Sequence, residues 1–235
     1  MIEQALYLIP VPLSDVAVNQ VLPTLPIEAV SHIKYYIVEN VRSARRFLKH
    51  CDPSIDIDAL QFVELNRHTP ATEVEQMLQP LVEGNAMGVI SEAGCPAVAD
   101  PGADVVAIAQ RRGLKVKPLV GPSSILMGLM GSGFNGQSFA FHGYLPIDKG
   151  ERQRVLKQMQ QRIMHEHQTQ IFIETPYRNN SLLDELIHTL PGTLRLCVAS
   201  DITGEKERII TRTIAQWGQS KWDYHKIPTI FLLYK

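Results

Sequence analysis

Short apolar segments alternate with amphipathic segments through the first half of the chain. The apolar segments predict β-strands at residues 5–9, 35–38, 60–63, 87–90 and 115–120. Apolar side chains at i, i+3, i+4 spacing predict helices at residues 41–51, 72–83 and 103–112. Regular alternation of strands and helices implies crossover connections, and therefore a parallel sheet.

The second half of the chain has a different pattern. Helices are predicted at residues 122–130, 150–164 and 179–189, and strands at residues 138–141, 170–173, 194–199, 207–212 and 228–234. The last three strands are joined by only a short helix and a turn, which is too little for full crossovers, so this half predicts a mixed sheet. The fold class is α/β with two α/β domains, residues 1–119 and 120–235.

Charge narrows the classes of function. The 235 residues include 23 basic and 24 acidic side chains, a net charge of −1. This balance argues against binding nucleic acid through overall charge, because phosphates are neutralised by Lys and Arg. Residues 1–118 hold 10 basic and 14 acidic side chains, whereas residues 119–235 hold 13 and 10, which leaves a local basic surface open in the second half.

Cysteine usage and hydropathy predict the compartment. Cys51, Cys95 and Cys197 are far apart, so they predict neither a disulfide framework nor a C-x-x-C metal motif. The first residues carry no basic region of a signal peptide, and no apolar run approaches the roughly 20 residues that cross a bilayer. We therefore expect a cytoplasmic protein without a membrane partner.

The loop after the fourth predicted strand is the first candidate for chemistry, because ligands of parallel α/β sheets bind outside the carboxyl ends of strands. It is Ser91-Glu92-Ala93-Gly94-Cys95-Pro96-Ala97-Val98-Ala99-Asp100-Pro101-Gly102. Its Gly, Pro and small residues allow a ligand to approach the main chain closely. Asp100 can cap the following helix or bond a ligand hydroxyl. The alternative is a long turn without a ligand.

Two further loops carry candidate residues. Ser123 and Ser124 lie at a predicted helix start, where hydroxyls and free backbone N–H groups suit a carboxylate, although a simple cap is the alternative for Ser124. Glu39 and Arg42 lie where the second strand ends and a helix begins. They can face a substrate or form a structural ion pair.

A third glycine-rich segment, Gly131–Gly136, matches the dinucleotide fingerprint G-x-G-x-x-G. The fingerprint requires a preceding strand and a following helix. Here a predicted helix precedes and a strand follows, so a helix-exit loop is favoured over an NAD(P)-dependent oxidoreductase, which stays an alternative. The segment His165-Glu166-His167 lacks the H-E-x-x-H spacing of zinc sites, and no metal is expected.

Taken together, the loops resemble the tetrapyrrole methylase superfamily, the class III S-adenosylmethionine-dependent methyltransferases. Within it they are similar to the group of small-subunit ribosomal RNA 2′-O-ribose methyltransferase I. The resemblance is carried, in order, by Ile9-Pro10-Val11-Pro12, Val38-Glu39-Asn40-Val41-Arg42, Ser91-Glu92-Ala93-Gly94-Cys95-Pro96, Asp100-Pro101-Gly102, Leu119-Val120-Gly121-Pro122-Ser123, Phe141-His142-Gly143-Tyr144-Leu145-Pro146 and Glu174-Thr175-Pro176-Tyr177-Arg178.

The resemblance implies S-adenosylmethionine as cofactor, bound in a cleft between the two domains, and usually a homodimer. The expected cofactor-binding residues are Pro12, Ser91, Glu92, Ala93, Gly94, Pro96, Asp100, Gly121, Ser123, Ser124, Pro228 and Thr229. An alcohol nucleophile needs a proton acceptor, or a charge that stabilises the developing alkoxide. Glu39 and Arg42 are therefore the expected catalytic residues.

The expected activity is 2′-O-methylation of a ribose in small-subunit ribosomal RNA, which makes that RNA or the small ribosomal subunit a partner. A tetrapyrrole or another small molecule is the alternative acceptor. A binding protein without catalysis is a third reading, because Ser14-Asp15, Glu92 and the Glu39–Arg42 segment depart from the family's usual residues. RNA contacts would come from the second half, for example from Lys149, Arg152, Arg154 and Lys157, unless these form only a solvated helix face.

Overall fold

The fold is that of a computed structural model, which describes residues 2–66 and 69–235. Contacts between Cα atoms divide the chain into two compact units, Met1–Ser123 and Ser124–Lys235. The sequence pattern places the domain boundary slightly earlier, between residues 119 and 120. No helix in the described part of the chain is both long and apolar enough to cross a membrane.

The first unit contains a five-stranded parallel sheet with the order β3-β2-β4-β1-β5. Its strands are β1 (Leu6–Ile9), β2 (Tyr35–Val38), β3 (Gln61–Glu64), β4 (Met87–Ile90) and β5 (Val116–Pro118). Its helices are α1 (Val18–Val21), α2 (Thr24–Ala29), α3 (Val41–Cys51), α4 (Ala71–Met77), α5 (Gln79–Val82) and α6 (Gly102–Arg111). The predicted parallel sheet is confirmed.

Helices cover both faces of this sheet. Successive side chains of a strand point to opposite faces, so β2 contributes Tyr36 and Val38 to one apolar core and Ile37 to another. The first core includes Phe47 of α3, which follows β2, and the second includes Val105 of α6, which follows β4. The chain therefore leaves the neighbouring strands β2 and β4 toward opposite faces. Such a reversal opens a crevice beyond their carboxyl ends.

Two details of the first unit differ from the prediction. The helix expected over residues 72–83 is interrupted at Leu78, where ψ is 1°, and continues as α5. The cause is Pro80, which cannot donate a backbone hydrogen bond and whose ring clashes with the carbonyl four residues earlier. Helices α1 and α2 were not predicted, because they are short and Pro23 and Pro26 interrupt the pattern.

The second unit contains a mixed sheet with the order β6-β7-β10-β8-β9, as the pattern predicts. Only the β6·β7 pair is parallel. The strands are β6 (Phe139–Tyr144), β7 (Thr169–Ile173), β8 (Arg195–Ser200), β9 (Arg208–Thr213) and β10 (Thr229–Tyr234). The helices are α7 (Ser124–Ser132), α8 (Lys149–Glu166), α9 (Asn179–Thr189) and α10 (Ile214–Gly218).

The two faces of the mixed sheet are covered by different helices. Leu156 of α8, Leu183 of α9 and Trp217 of α10 share one apolar core with Phe231 of β10. On the other face α7 lies close to the sheet, and a Cβ placed on Gly128 would stand 3.1 Å from Ile230 Cγ2. Glycine therefore sets how closely α7 approaches the sheet.

Candidate functional site

The carboxyl ends of β1, β2 and β4 lie side by side, because Ile9 and Val38 both pair with Ile90. A small, open depression lies at the crevice between β2 and β4. Its lining combines apolar and carboxylate side chains and consists of Ile37, Val38, Glu39, Leu65, Val89, Ile90, Ser91, Asp100, Pro101 and Gly102. The predicted loops after residues 38 and 90 thus contribute to one depression.

The loop after β1 is joined to the loop after β4 by a pair of backbone hydrogen bonds. Val11 donates to the carbonyl of Gly94 and accepts from its N–H, both at 2.9 Å. Gly94 has a φ of +74°, which favours glycine, and a Cβ there would stand 3.2 Å from Leu13 Cδ2. This pairing holds the Pro10–Pro12 segment against the glycine-rich loop.

Asp100 shapes the second part of the glycine-rich loop. Its carboxylate accepts hydrogen bonds from the backbone N–H of Ala97 at 2.9 Å and of Gly102, the first residue of α6, at 2.7 Å. Burial raises the pKa of Asp100, although these two donors act to lower it. The structure therefore shows the capping interaction that the sequence predicted, and the carboxylate also lines the cavity.

The other predicted loop residues differ in exposure. Ser91 and Pro96 are buried, and the Ser91 hydroxyl lies 3.4 Å from the carbonyl of Ala93. Glu92 and Ala93 are exposed, and Ala97 and Ala99 both adopt positive φ values. Pro12 is half-buried. The loop thus presents small residues in unusual backbone conformations at the sheet edge.

Glu39 and Arg42 lie at the β2 end of the crevice. Asn40 caps α3, because its Oδ1 accepts from the N–H groups of Arg42 at 2.9 Å and Ser43 at 3.1 Å. Glu39 lines the cavity, and its Oε1 lies 3.4 Å from the N–H of Glu92. The exposed Arg42 makes no side-chain hydrogen bond or ion pair with the described residues, so the alternative of a Glu39–Arg42 ion pair finds no support.

Two side chains that sequence reasoning missed connect these loops. The Ser43 hydroxyl donates to Glu92 Oε1, which joins α3 to the glycine-rich loop. Glu64 at the end of β3 accepts from the N–H of Val41 at 3.1 Å. Three carboxylates therefore lie at this edge, one from each of the neighbouring strands β2, β3 and β4 or the loop that follows it: Glu39, Glu64 and Glu92. A signal existed for Glu64, since it directly follows the strand predicted at residues 60–63, whereas nothing local marks Ser43.

The loop before α7 also contacts the first loops. A Cβ on Gly121 would lie 2.2 Å from Pro10 Cγ, so only glycine fits there. The Cys95 thiol lies 3.4 Å from the carbonyl of Pro122, and burial raises the pKa of Cys95, which disfavours a thiolate nucleophile. Ser123 ends the first unit and Ser124 begins α7 in the second.

The remaining predicted site residues belong to the second unit. Thr229 is buried at the start of β10 and its hydroxyl donates to the carbonyl of Ile227 at 2.8 Å, while Pro228 is exposed. The segment Gly131–Gly136 ends α7 and precedes β6, so it does not open a helix from a strand. The structure therefore lacks the context that the dinucleotide reading requires.

The basic residues proposed for RNA contacts on α8 are not equivalent. Arg152 lies within 3.1 Å of both Glu185 carboxylate oxygens and also donates to the carbonyls of Pro146 and Ile147. The side chains of Arg152 and Glu185 are each only 16% exposed, so the structure pairs Arg152 with a carboxylate and leaves it neither fully solvated nor free to contact RNA without breaking that pair. Among the described residues, no cluster of His, Cys, Asp or Glu is arranged to hold a metal ion.

Solved structures share this fold. The methyltransferase CobJ superposes with a TM-score of 0.65 and 12% identity over 98% of this chain and 94% of that one. The cobalamin biosynthetic enzyme cobalt precorrin-4 methyltransferase CbiF superposes with a TM-score of 0.61 and 12% identity over 98% of this chain and 95% of its own. At such low identity these likenesses establish the fold alone.

The sequence comparisons define the family. Residues 27–217 match the family described as Tetrapyrrole (Corrin/Porphyrin) Methylases, and the chain belongs to that family. Ribosomal RNA small subunit methyltransferase I of Halalkalibacterium halodurans is 29% identical over 178 residues, which cover 76% of this chain and 58% of the relative. The Vibrio cholerae protein of the same name is 26% identical over 212 residues, which cover 90% of this chain and 69% of that relative. The chain thus spans about three fifths of the first relative.

Proposed function

We propose that this chain transfers a methyl group from S-adenosylmethionine to a ribose 2′-hydroxyl of small-subunit ribosomal RNA. The observation that carries the proposal is the crevice between β2 and β4, lined by Glu39 and Asp100, in a chain of the tetrapyrrole methylase family. The printed names of the relatives support ribosomal RNA as the acceptor.

The crevice suits a cationic ligand better than a phosphorylated one. Glu39 and Asp100 line it and Glu92 stands at its rim, so a pyrophosphate such as that of NAD would meet like charge. S-adenosylmethionine carries a positive sulfur, an ammonium group and ribose hydroxyls, and it has no phosphate. Ile37 and Val89 add an apolar wall for part of the ligand. The carboxylates of the crevice therefore fit the cationic groups and the hydroxyls of this cofactor.

The chemistry follows from two side chains beside the crevice. Bound S-adenosylmethionine supplies a methyl group on an already activated sulfur, so positioning of the acceptor provides most of the acceleration. Glu39 accepts the proton that the ribose hydroxyl loses. The exposed guanidinium of Arg42, in the first turn of α3, stabilises the negative charge that develops on the oxygen.

The remaining cofactor contacts are proposed on the loops already described. In this proposal the domain boundary falls between residues 119 and 120. The contacting residues are Pro12, Ser91, Glu92, Ala93, Gly94, Pro96, Asp100, Gly121, Ser123, Ser124, Pro228 and Thr229. The close approach of Gly121 to Pro10 supports the involvement of both loops.

We further propose that the chain is a cytoplasmic homodimer. Helix α7 is apolar along its length, yet Leu126 is 51% and Met130 82% exposed on one of its faces. A surface helix that is apolar all round requires a covering partner. A second copy meets this need, and Met130→Glu should convert the dimer to a monomer in analytical ultracentrifugation. Unchanged sedimentation would contradict this interface.

Calorimetric titration separates the proposed class from its alternatives. S-adenosylhomocysteine should bind and NAD should not, because the carboxylates of the crevice disfavour a pyrophosphate. Glu39→Gln tests whether the Glu39 carboxylate contributes to the affinity for S-adenosylhomocysteine. Glu28→Gln on α2 is the control, because it removes one carboxylate from the same unit. Binding of NAD without binding of S-adenosylhomocysteine would overturn the proposed class.

Methyl transfer to isolated small ribosomal subunits tests the acceptor and the catalytic residues. Subunits from cells that lack this protein should accept label from S-adenosylmethionine, and Glu39→Gln and Arg42→Ala should each lower kcat by about 100-fold. Turnover unchanged in both variants would exclude them as catalytic residues. Label found only in tetrapyrroles or other small molecules would transfer the proposal to that acceptor.

A further inference from the structure

Tyr177 lies on the second unit with its ring unusually exposed. It follows β7 in the segment Glu174–Arg178, and 70% of the residue is accessible to solvent. Lys226 Nζ stands 5.6 Å from the centroid of the ring, and the ring of His225 meets it edge-on with centroids 6.0 Å apart. The residue is thus largely exposed, with the Lys226 ammonium over its ring and His225 packed against it. We call Tyr177, His225 and Lys226 the aromatic platform.

The platform is held by hydrogen bonds beneath it. The fully buried Asn179 donates through Nδ2 to the carbonyls of Tyr224 and Ile227, at 3.2 and 2.7 Å. Asn180 accepts from the N–H of Tyr224 at 2.8 Å. These bonds fix the segment before β10 against the start of α9, so the platform is ordered before any partner binds.

Lys226 itself occupies a constrained backbone position. Its φ is +62°, and its N–H donates to the carbonyl of Pro176 at 2.9 Å, next to Tyr177. A positive φ is uncommon for a residue with a long side chain and calls for an explanation. Here the conformation accompanies placement of the ammonium group over the Tyr177 ring.

The charge around the platform is positive after neighbouring pairs are counted. Arg178 is bound to the buried Glu174 at 2.6 Å, so these two charges compensate each other. Asp223 accepts from Asn180 and from the N–H of His225, and these hydrogen bonds hold its pKa below the ordinary value, with nearby Arg208 adding to the effect. Arg208 also donates to the backbone carbonyl of Asp223 at 3.0 Å. Within residues 2–66 and 69–235, Lys226 makes no ion pair with a carboxylate.

We propose that the aromatic platform binds an unpaired base of the RNA substrate, with Tyr177 stacking on the base and Lys226 contacting the adjacent phosphate. Protein side chains recognise unpaired RNA bases by stacking them on exposed aromatic rings, and a neighbouring cation secures the backbone. The inference rests on the proposed function, because it takes ribosomal RNA as the substrate. It assigns Tyr177 and Lys226 to substrate binding and not to catalysis.

Fluorescence anisotropy with a labelled, unstructured RNA oligonucleotide tests the stacking. Tyr177→Ala should weaken binding about tenfold, whereas Tyr177→Trp should retain affinity because it retains the stacking surface. Lys226→Asn tolerates the positive φ and should reduce the slope of log affinity against log salt by about 0.7. Lys34→Gln, an exposed lysine just before β2 in the first unit, is the matched control and should leave affinity unchanged.

Methylation of small ribosomal subunits supplies the second measurement. Tyr177→Ala should raise KM for subunits about tenfold and leave kcat and the affinity for S-adenosylhomocysteine unchanged, a split that a merely structural role would not produce. Wild-type protein that does not bind the oligonucleotide would overturn the platform. The platform would also be overturned if Lys226→Asn lost affinity while Tyr177→Ala did not. That result would identify a general polyanion site.

The two proposals fail in different ways. If wild-type protein methylates subunits while Tyr177→Ala changes neither KM nor oligonucleotide affinity, the platform is refuted and the proposed function stands. If subunits accept no methyl group while Tyr177→Ala still weakens oligonucleotide binding, the proposed acceptor is refuted and the platform stands as an RNA-binding surface.

Discussion

Replacement of Gly121 by alanine tests how the loops of the candidate site are held together. A Cβ at this position would lie 2.2 Å from Cγ and 2.3 Å from Cβ of Pro10, whereas ordinary contact begins at 3.4 Å. The proline ring or the Gly121 backbone must therefore move by more than 1 Å. The neighbouring Val11 is bonded to Gly94, so the displacement reaches the glycine-rich loop.

The expected cost follows from the size of this overlap. Inserting a methyl group into a packed site costs about 1–3 kcal/mol, and the rigid proline ring offers no rotamer that relieves the overlap. A displacement of about 1 Å in a ligand-positioning loop also lowers affinity severely. We expect Gly121→Ala to lose about 2 kcal/mol of unfolding free energy and at least about tenfold in affinity for S-adenosylhomocysteine.

Urea denaturation and calorimetric titration measure these two effects. Gly136→Ala is the matched control, because a Cβ on Gly136 meets no atom within 4 Å and its φ is not positive. The control should change neither quantity. Gly121→Ala with the stability and the affinity of the unmodified protein would refute the argument that the Pro10 contact requires glycine.

Two further predictions concern charged groups. Asp100 should titrate above its ordinary pKa of 3.8 in a carboxyl-carbon NMR titration, because burial disfavours its charge. The folded protein then holds this proton more tightly than the unfolded chain. The carboxyl therefore contributes stability at low pH that is lost as pH rises through the folded pKa. A measured pKa of Asp100 at or below 3.8 would contradict this prediction. Glu185→Gln should cost about 2 kcal/mol in urea denaturation, because it leaves the Arg152 charge partly buried without its counter-ion, and a loss below about 0.5 kcal/mol would show that the pair is solvated.

Local sequence patterns were sufficient for the strands and the longer helices. The five apolar segments of the first half became the five strands of its sheet, since periodicity and turn residues are local signals. The break at Pro80 was missed because the amphipathic pattern of residues 72–83 continues across it. A proline rule applied to that pattern would have divided the helix.

The contacts that join the loops of the site could not be predicted from local patterns. Val11 pairs with Gly94, and Ser43 donates to Glu92, across long stretches of sequence. Each contact depends on the strand order β2-β4-β1, which a single sequence does not encode as a readable pattern. The pairing of Arg152 was equally unpredictable, because its partner Glu185 lies on another helix, 33 positions later in the chain.

The proposed activity is the methylation of a ribose hydroxyl of small-subunit ribosomal RNA. The most direct test is nucleoside mass spectrometry of that RNA after small subunits from cells lacking the protein have been incubated with it and S-adenosylmethionine. We expect a 2′-O-methylated nucleoside and a dinucleotide that resists alkaline hydrolysis at the modified position, and both should form about 100-fold more slowly with Glu39→Gln. Ribosomal RNA that remains unmodified, or that carries the methyl group on a base, would contradict the account.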